Sequence, residues 1–326
     1  MNIIVQKYGG SSVKSKETLQ KVCDNIIKNK ESNNDLIVVV SAQGNTTNDL
    51  ISTAKEYTNN NITNKKDLDF LLSTGEMQTA ALLSLMLNAK GYESVCLNGA
   101  QAGIITTSEF GNAKITNVLT DNITSYLNEG KIVIITGFQG IDKLGNITTL
   151  GRGGSDLSAV AIASSMKAKK CEIYSDIDGI FSADPKIIPN ATLIPKISYD
   201  EMLEASSNGA KVLHNRCVSL AKKYKVKIIS KNTFNNSLGS TVQDTSEDLN
   251  VHFITKKENL TKICIVGSLI LENSNVLNNI YTIANKLNTK IYMITTNELS
   301  INIIVDTAIA NSFIQELHNT LIIKEE

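Results

Sequence analysis

The chain has 326 residues, of which 42% are hydrophobic and 20% are charged, proportions that suit a folded protein with one large core and one small appendage. Its 32 basic and 32 acidic residues balance, which argues against nucleic acid or an anionic membrane surface as a partner. No apolar run approaches the roughly 20 residues that span a bilayer, and the N-terminal segment lacks the pattern of a signal peptide. These features predict a cytoplasmic protein.

Short β-branched segments alternate with helix-like segments over most of the chain, which is typical of a parallel sheet covered by helices. In chain order, the predicted strands are Asn2–Gln6, Leu36–Ser41, Ser94–Leu97, Ile132–Thr136, Cys171–Tyr174 and Val226–Ile229. The predicted helices between them are Ser15–Asn29, Met77–Ala89 and Ala159–Met166. The polar stretch Asn232–Asn250 is predicted to be a linker, so that residues 1–245 and 250–326 form two domains.

The pattern changes after the linker and predicts a small α+β unit with a single layer of helices on one sheet. Its predicted strands are Val251–Thr255, Thr261–Val266, Lys290–Ile294 and Ser300–Val305, with room for a last strand at the end of the chain. Its predicted helices are Val276–Leu287 and Ala308–Leu317.

Four predicted strand ends or turns carry glycines beside polar residues: Lys7–Ser12, Ser41–Gly44, Gly137–Gly140 and Gly151–Asp156. Such segments gather at the carboxyl edge of an open α/β sheet, where glycine lets backbone N–H groups close around phosphate oxygens. Two of the segments also carry a cation, and together the four predict a nucleotide site. The phosphate-binding and catalytic motifs of P-loop proteins, dinucleotide-binding proteins and protein kinases are missing.

Arginine is rare in this lysine-rich chain, which contains only Arg152 and Arg216. A retained arginine is expected where only a planar guanidinium serves, and Arg152 lies in the most glycine-rich stretch, LGRGGSD.

The five cysteines form no C-x-x-C pair and are predicted to be small buried hydrophobic residues. Asp176–Gly179 resembles the start of a calcium loop but lacks the later ligands, so no direct metal motif is predicted.

The segment KYGGSSV at Lys7–Val13 resembles the opening signature of the aspartate kinases. Further similar motifs follow in the order of that family: VVVSAQGNTTNDL, LLSTGEMQTAALL, ITGFQG, TTLGRGGSDLSAVAIA, YSDIDGIFSADPK and ISYDEMLEASSNGAKVLH. The resemblance covers about the first 245 residues, and the remainder resembles one ACT domain. It implies an α/β fold, the amino-acid-kinase αβα sandwich on a mainly parallel eight-stranded sheet, followed by a small α+β ACT-like domain.

The resemblance also implies that ATP, with Mg²⁺ carried by the nucleotide, phosphorylates the side-chain carboxylate of L-aspartate. The implied catalytic residues are Lys7, which would neutralise the transferring phosphoryl group, and Asp156, which would orient Lys7. The implied substrate-binding residues are Ser41, Thr47, Glu76, Arg152 and Ser155. The implied nucleotide-binding residues are Lys7, Tyr8, Gly9, Gly10, Ser175, Asp176, Phe181, Lys186 and Lys211.

The sequence leaves alternatives open for the roles of some residues and for the substrate. Glu76 could instead be a first-turn carboxylate favoured by a helix dipole, and Lys186 and Lys211 could be solvated surface lysines. A kinase acting on glutamate or acetylglutamate is a second enzyme hypothesis, because one methylene in a pocket is worth only about 1–3 kcal/mol. A catalytically silent ACT-bearing subunit is a hypothesis of a different class.

The C-terminal region departs from the pattern of the family, in which many members carry two ACT domains. The inserted ACT domain has no counterpart between Val251–Thr255 and Thr261–Val266, and Ser268–Asn275 lacks the glycine usual at the effector turn. We therefore expect weak or absent inhibition by lysine or threonine, and a homodimer joined through residues 251–326.

Overall fold

The computed structural model describes residues 2–246, 251–268, 270, 272 and 275–322. The chain forms two compact units, Met1–Thr255 and Lys256–Glu326. In the described part of the first unit, the strands are β1 (Ile3–Tyr8), β2 (Asp35–Val40), β3 (Ser94–Leu97), β4 (Ile104–Thr106), β5 (Ile115–Val118), β6 (Ile132–Thr136), β7 (Gln139–Ile141), β8 (Ile147–Thr149), β9 (Lys170–Ser175), β10 (Lys196–Ser198), β11 (Ile228–Asn232) and β12 (Ser240–Gln243). Its helices are α1 (Lys16–Glu31), α2 (Thr46–Tyr57), α3 (Lys65–Ala89), α4 (Asp121–Asn128), α5 (Gly154–Ser165), α6 (Tyr199–Ser207) and α7 (Asn215–Tyr224).

Eight strands form one large sheet in the order β10-β12-β11-β9-β1-β2-β6-β3. All its neighbouring pairs are parallel except the antiparallel pair of β11 and β12. The central strands are buried on both faces, which explains their continuous apolar runs. The predicted mainly parallel, eight-stranded α/β sheet is therefore confirmed.

Helices cover both faces of the large sheet. Apolar residues of α1 and α3 pack on one face of the sheet and form one core. Apolar residues of α4, α5, α6 and α7 pack on the opposite face and form the other core. Helix α5 is apolar on nearly all sides and buried along nearly its whole length, so it is a central helix rather than a surface one. A smaller sheet, in the order β5-β4-β7-β8, leads into the turn before α5.

Several predicted boundaries were wrong for identifiable reasons. Helix α3 begins at Lys65, twelve residues before the predicted start at Met77, where the Asn64 side chain accepts hydrogen bonds from two backbone N–H groups and caps the helix. Strand β12 lies inside the stretch predicted to be a linker, and residues 247–250 of that stretch lie outside the described residues. Two cysteines predicted to be buried, Cys96 and Cys264, are exposed.

By length and composition, α3 is long and apolar enough to cross a membrane, contrary to the expectation from the sequence. Half of its most apolar window is buried inside the protein, and its buried side chains pack against the large sheet. A core helix of a folded protein passes the same test of length and composition.

The second unit contains β13 (Leu260–Val266), α8 (Asn275–Lys286), β14 (Met293–Asn297), β15 (Ser300–Asp306) and α9 (Thr307–Leu321). Strand β15 lies between the other two in an antiparallel sheet, and α8 and α9 bury their apolar residues against it. This is the predicted α+β architecture. Residues 269, 271, 273 and 274 of the predicted effector turn, and residues 323–326 at the position of a last strand, lie outside the described residues.

The predicted strand Val251–Thr255 is not a strand and belongs to the first unit. It lies against that unit through a backbone hydrogen bond from Ile254 to the Ser182 carbonyl at 2.8 Å. The His252 Nδ1 atom also lies 2.7 Å from Glu201 Oε1. The predicted strand Lys290–Ile294 begins later, at Met293, and continues to Asn297.

Candidate active site

Four glycine-bearing segments meet at one edge of the large sheet. Three of them follow the parallel strands β1, β2 and β6, which end at that edge. The fourth follows β8 of the smaller sheet, and a hydrogen bond from the Leu150 N–H to the Phe138 carbonyl at 2.8 Å holds its start beside the third. Backbone hydrogen bonds across the sheet join the ends of the neighbouring strands β9, β1, β2 and β6. Gly9 N–H donates to the Tyr174 carbonyl at 3.2 Å, Ser41 N–H to the Tyr8 carbonyl at 3.1 Å, and Gly137 N–H to the Val40 carbonyl at 2.9 Å.

Glycine is required where these segments approach one another. A Cβ atom on Gly10 would lie 3.0 Å from the Ala42 carbonyl oxygen, and one on Gly137 would lie 2.7 Å from the Ser155 Cβ atom. The second contact brings the first turn of α5 against the end of β6. The positive end of a buried helix therefore lies at the same edge as the glycine turns, an arrangement suited to an anion.

Lys7 and Asp156 form an ion pair at this edge, with 2.6 Å between Nζ and Oδ1. Their side chains are only 11% and 14% exposed, so the pair is largely withdrawn from water without being sealed from it. A Cβ atom on Gly9 would lie 3.5 Å from Lys7 Nζ, which places the ammonium group beside the first glycine turn. The sequence predicted both residues, and the structure brings them into contact.

Glu76 is a buried carboxylate, 3% exposed, in the middle of α3. Its Oε1 atom accepts a hydrogen bond from the Ala42 N–H at 3.0 Å, whereas its Oε2 atom has no partner among the described residues. Burial raises the pKa of Glu76 to about 7, although the Ala42 N–H and the Lys7 charge both favour ionisation. Because Glu76 lies far from the start of its helix, a helix-dipole role is excluded.

The other predicted substrate residues surround the same edge. Ser41 follows β2, Thr47 lies in the first turn of α2, and Ser155 lies in the first turn of α5. Arg152 lies in the turn between β8 and α5, and its exposed side chain contacts no described residue through a hydrogen bond or ion pair. Its guanidinium is therefore available to a ligand.

The predicted nucleotide residues are less closely gathered. Ser175 ends β9 beside Tyr8, and the Asp176 carboxylate accepts a hydrogen bond from Ser11 Oγ at 3.3 Å, so both lie at the sheet edge. Phe181 lies further along the same connection, in a bridge with Leu193.

Three of the predicted nucleotide residues are placed differently. Lys186 and Lys211 are exposed in connecting segments, and within the described part of the chain neither pairs with a residue around Lys7. The Tyr8 side chain is fully buried and stacks on Tyr174 with 4.7 Å between ring centroids, so it faces the core rather than the sheet edge.

Several residues that organise this edge were not predicted from the sequence. Asp69, buried in α3, accepts hydrogen bonds from the Thr149 N–H and hydroxyl at 2.7 and 2.8 Å, and from the Gly111 N–H at 2.9 Å. Gly75 lets α3 approach the Ala42 loop, because a Cβ atom there would lie 2.8 Å from the Ala42 Cβ. No local motif marks Asp69. Gly75, by contrast, stands directly before Glu76 in the motif LLSTGEM.

Comparison with known proteins agrees with this architecture. Residues 2–232 match the model of the amino acid kinase family. The solved structure of E. coli aspartokinase III in complex with aspartate and ADP superposes with a TM-score of 0.80 at 23% identity, covering 97% of this chain and 83% of that one, and this likeness shows the fold. The chain therefore belongs to the amino acid kinase family.

Within that family, the relatives similar in sequence include several aspartokinases. The aspartokinase of Bacillus sp. (strain MGA3) is 42% identical over 311 residues, which cover 94% of this chain and 72% of that protein. The aspartokinase of Geobacillus stearothermophilus is 46% identical over 270 residues, which cover 82% of this chain and 66% of that protein. The solved structure of aspartate kinase from Synechocystis is 27% identical with a TM-score of 0.68, covering 99% of this chain and 70% of that one.

Proposed function

We propose that the protein is an aspartate kinase, which transfers the γ-phosphoryl group of MgATP to the side-chain carboxylate of L-aspartate. The products are 4-phospho-L-aspartate and ADP, and the reaction is the first step toward lysine, threonine and methionine in the cytoplasm. The observation that carries the proposal is the 2.6 Å ion pair of Lys7 and Asp156 at the meeting point of the four glycine-bearing segments. The names of the relatives support the choice of substrate.

In this mechanism, a carboxylate oxygen of aspartate attacks the γ-phosphorus, and the bond from that phosphorus to the bridging oxygen of ADP breaks. Most of the catalysis is positioning and charge stabilisation, since phosphoryl transfer asks little covalent chemistry of the protein. Lys7 neutralises the negative charge on the transferring group, while Gly9 and Gly10 allow close approach of the backbone. The N-terminus of α5 adds a further positive potential.

The residues present suit the magnesium ion that accompanies ATP. Mg²⁺ prefers carboxylate, phosphate and water oxygens, and Asp156 supplies a partly exposed carboxylate beside the phosphate-binding turns. The Oδ1 atom of Asp156 is paired with Lys7, and its Oδ2 atom has no partner within the described ranges. When bound, the ion would offset charge on the phosphate oxygens, and Asp156 would help to hold it.

Glu76 supports a substrate with a free amino group. A buried carboxylate with one unpaired oxygen is costly, and an ammonium ion bound at Oε2 would offset that cost. An acetylated amine carries no charge and could not do so, which disfavours acetylglutamate. We assign the substrate α-carboxylate to the free guanidinium of Arg152, which can bind it through two parallel hydrogen bonds. Ser41, Thr47 and Ser155 would complete the hydrogen bonding.

We assign the nucleotide to the side of the edge formed by the end of β9 and the connection that follows it. Ser175 and Asp176 lie there, and Phe181, Lys186 and Lys211 would complete the site from the neighbouring connections. We assign the amino-acid-kinase domain to the first unit, Met1–Thr255, and an ACT-like domain to the second unit, Lys256–Glu326, so that the boundary lies a few residues after the one predicted from the sequence.

A trapping assay tests the function directly. The purified protein is incubated with MgATP, hydroxylamine and one acid at a time: L-aspartate, L-glutamate or N-acetyl-L-glutamate. We expect aspartyl hydroxamate, with turnover of aspartate at least roughly tenfold faster than turnover of the longer acids. Product from glutamate or acetylglutamate alone would contradict the substrate assignment, and no product from any acid would support the silent-subunit hypothesis.

A further inference from the structure

The second arginine of the chain, Arg216, lies in the first turn of α7 and has no role in the chemistry described above. Its guanidinium bridges two different segments. Nη1 donates to the side-chain oxygen of Asn112 at 3.0 Å, and Nη2 donates to the backbone carbonyls of Leu150 and, at 3.0 Å, Arg152. These two carbonyls belong to the turn that carries the proposed substrate arginine.

The turn is enclosed on both sides. Gly153 has a left-handed φ of 70°, and a Cβ atom on it would lie 2.5 Å from Cγ of His214, so the start of α7 forms one wall. Gly151 has a φ of 71°, and its Cβ would lie 3.0 Å from the Gly111 carbonyl, so residues 111–112 form the other wall. Arg216 spans both walls, because it contacts Asn112 and the carbonyls of the turn at the same time.

Arg152 has no side-chain partner in the described ranges, so the direction of its side chain depends on its backbone. We infer that Arg216 is a positioning residue, which fixes the Leu150 and Arg152 carbonyls and so aims Arg152 at the α-carboxylate of the substrate. The inference rests on the proposed function, because it needs a carboxylate ligand at Arg152. It also explains why a chain with so few arginines has one here: a lysine ammonium lacks the planar fork that reaches three acceptors in two segments.

The test compares Arg216→Lys with Lys223→Met, a control that removes an exposed charge from the same helix. Kinetic constants are measured for aspartate and for ATP, together with the thermal midpoint of each variant. We expect Arg216→Lys to raise the KM for aspartate roughly tenfold while the KM for ATP stays within about twofold. The control should change neither constant. Changes in both KM values that follow a lowered thermal midpoint would mean a general structural role and would overturn the inference.

A double-mutant cycle with Arg152→Lys shows whether Arg216 acts through Arg152. If it does, Arg216→Lys should add less than about a twofold loss when Arg152 is already lysine, whereas multiplying losses would overturn the inference. If Arg152→Lys impairs aspartate use and Arg216→Lys does not, the inference fails and the proposed function stands. If Arg152→Lys has no effect on the aspartate constants, the substrate assignment itself fails.

Asn112→Ala provides a second, milder variant in case Arg216→Lys does not fold. It removes one acceptor and leaves both carbonyl hydrogen bonds in place. We expect a rise of roughly threefold in the KM for aspartate, again with little change for ATP. An unchanged KM for aspartate in this variant would count against the bridging role of Arg216.

Discussion

Glu76 is the residue whose environment departs furthest from what a carboxylate prefers. Its pKa near 7 in the free protein means that it is substantially protonated at neutral pH, and only the ionised form can pair with an ammonium group. We expect kcat/KM for aspartate to fall as the pH decreases below 7, because the substrate itself does not change charge in that range. A pH profile of kcat/KM measures this, and a flat profile between pH 6 and 8 would contradict it.

The same residue should lower the stability of the fold at high pH. Because the pKa of Glu76 is raised from 4.5 to about 7, the folded state binds the proton more tightly than the unfolded state does. Its contribution to the free energy of unfolding therefore falls as the pH rises from 4.5 to 7, by a total of about 3 kcal/mol.

Glu76→Gln removes this titration. We expect the variant to be more stable than the parent at pH 8, with a smaller gain at pH 5, while kcat/KM for aspartate drops by about a hundredfold or more. Urea unfolding at the two pH values gives the comparison, with Glu56→Gln on the exposed face of α2 as the control. Equal stability changes at both pH values would show that ionisation of Glu76 does not lower the free energy of unfolding, and would contradict the prediction.

Lys7 and Asp156 should behave as one unit. If both organise a single phosphoryl site, Lys7→Ala and Asp156→Ala each abolish nearly all turnover, and the double variant is little worse than either. Steady-state kinetics of the three variants measure this. The surface ion pair of Lys131 and Glu129, 2.7 Å long, is the control, and its alanine variants should keep full turnover. Independent, multiplying losses at Lys7 and Asp156 would place the two residues in separate sites.

At the scale of elements, the approach of α3 to the loop after β2 decides where Glu76 lies. Gly75→Ala would normally favour a helix, but here the new Cβ would lie 2.8 Å from the Ala42 Cβ. Relieving this overlap costs about 1–3 kcal/mol and disturbs the hydrogen bond from Ala42 to Glu76. We expect kcat/KM for aspartate to fall roughly tenfold, as measured against Thr74→Ala on the same helix. Equal activity of the two variants would mean that the loop moves freely.

The sequence predicts the central strands well because buried parallel strands are continuous apolar runs, and the predicted strand Ile132–Thr136 matches β6 residue for residue. The predicted strand Ser94–Leu97 likewise matches β3, which lies at the edge of the sheet. It fails where local pattern and tertiary contacts disagree. The apolar and β-branched residues of Val251–Thr255 favour a strand. In the structure, His252 instead pairs with Glu201, and the Ile254 N–H donates to the Ser182 carbonyl.

The candidate site shows the same division. Lys7, Asp156 and Arg152 lie in glycine-rich stretches that attract attention in the sequence. Asp69 and Arg216 act through contacts 80 and up to 104 residues away along the chain, and no local pattern encodes contacts of that range. Their contacts form only because the fold brings β8, α3 and α7 together.

At the scale of the whole molecule, we expect a homodimer joined through the C-terminal unit. Its three-stranded sheet carries helices on one face, and Val266 and Met293 are 73% and 55% exposed on its outer strands. Neither β13 nor β14 has a second partner strand in the part of the chain that the structure describes. Exposed apolar edges of this kind are usually paired or protected, and a second copy of the chain would pair this one.

Light scattering measures the assembly. We expect a dimer that Val266→Glu weakens, while Leu144→Glu, at an exposed turn of the first unit, leaves it intact. A monomeric parent protein would refute the proposed assembly.

The expected weak inhibition by lysine or threonine is tested by a different experiment. Turnover of the parent protein is measured with lysine and threonine present, singly and together, and strong inhibition by lysine would contradict the expectation.

The central claim is that a carboxylate oxygen of aspartate attacks the γ-phosphorus of ATP at the edge that holds Lys7, Glu76 and Arg152. Isotopic labelling tests it most directly. Aspartate labelled with ¹⁸O in its side-chain carboxylate is incubated with the protein, MgATP and hydroxylamine, which attacks the acyl carbon and releases phosphate. We predict that the released phosphate carries one ¹⁸O atom taken from aspartate, as measured by mass spectrometry. Released phosphate without the label would mean that ATP is only hydrolysed, and would contradict the assignment.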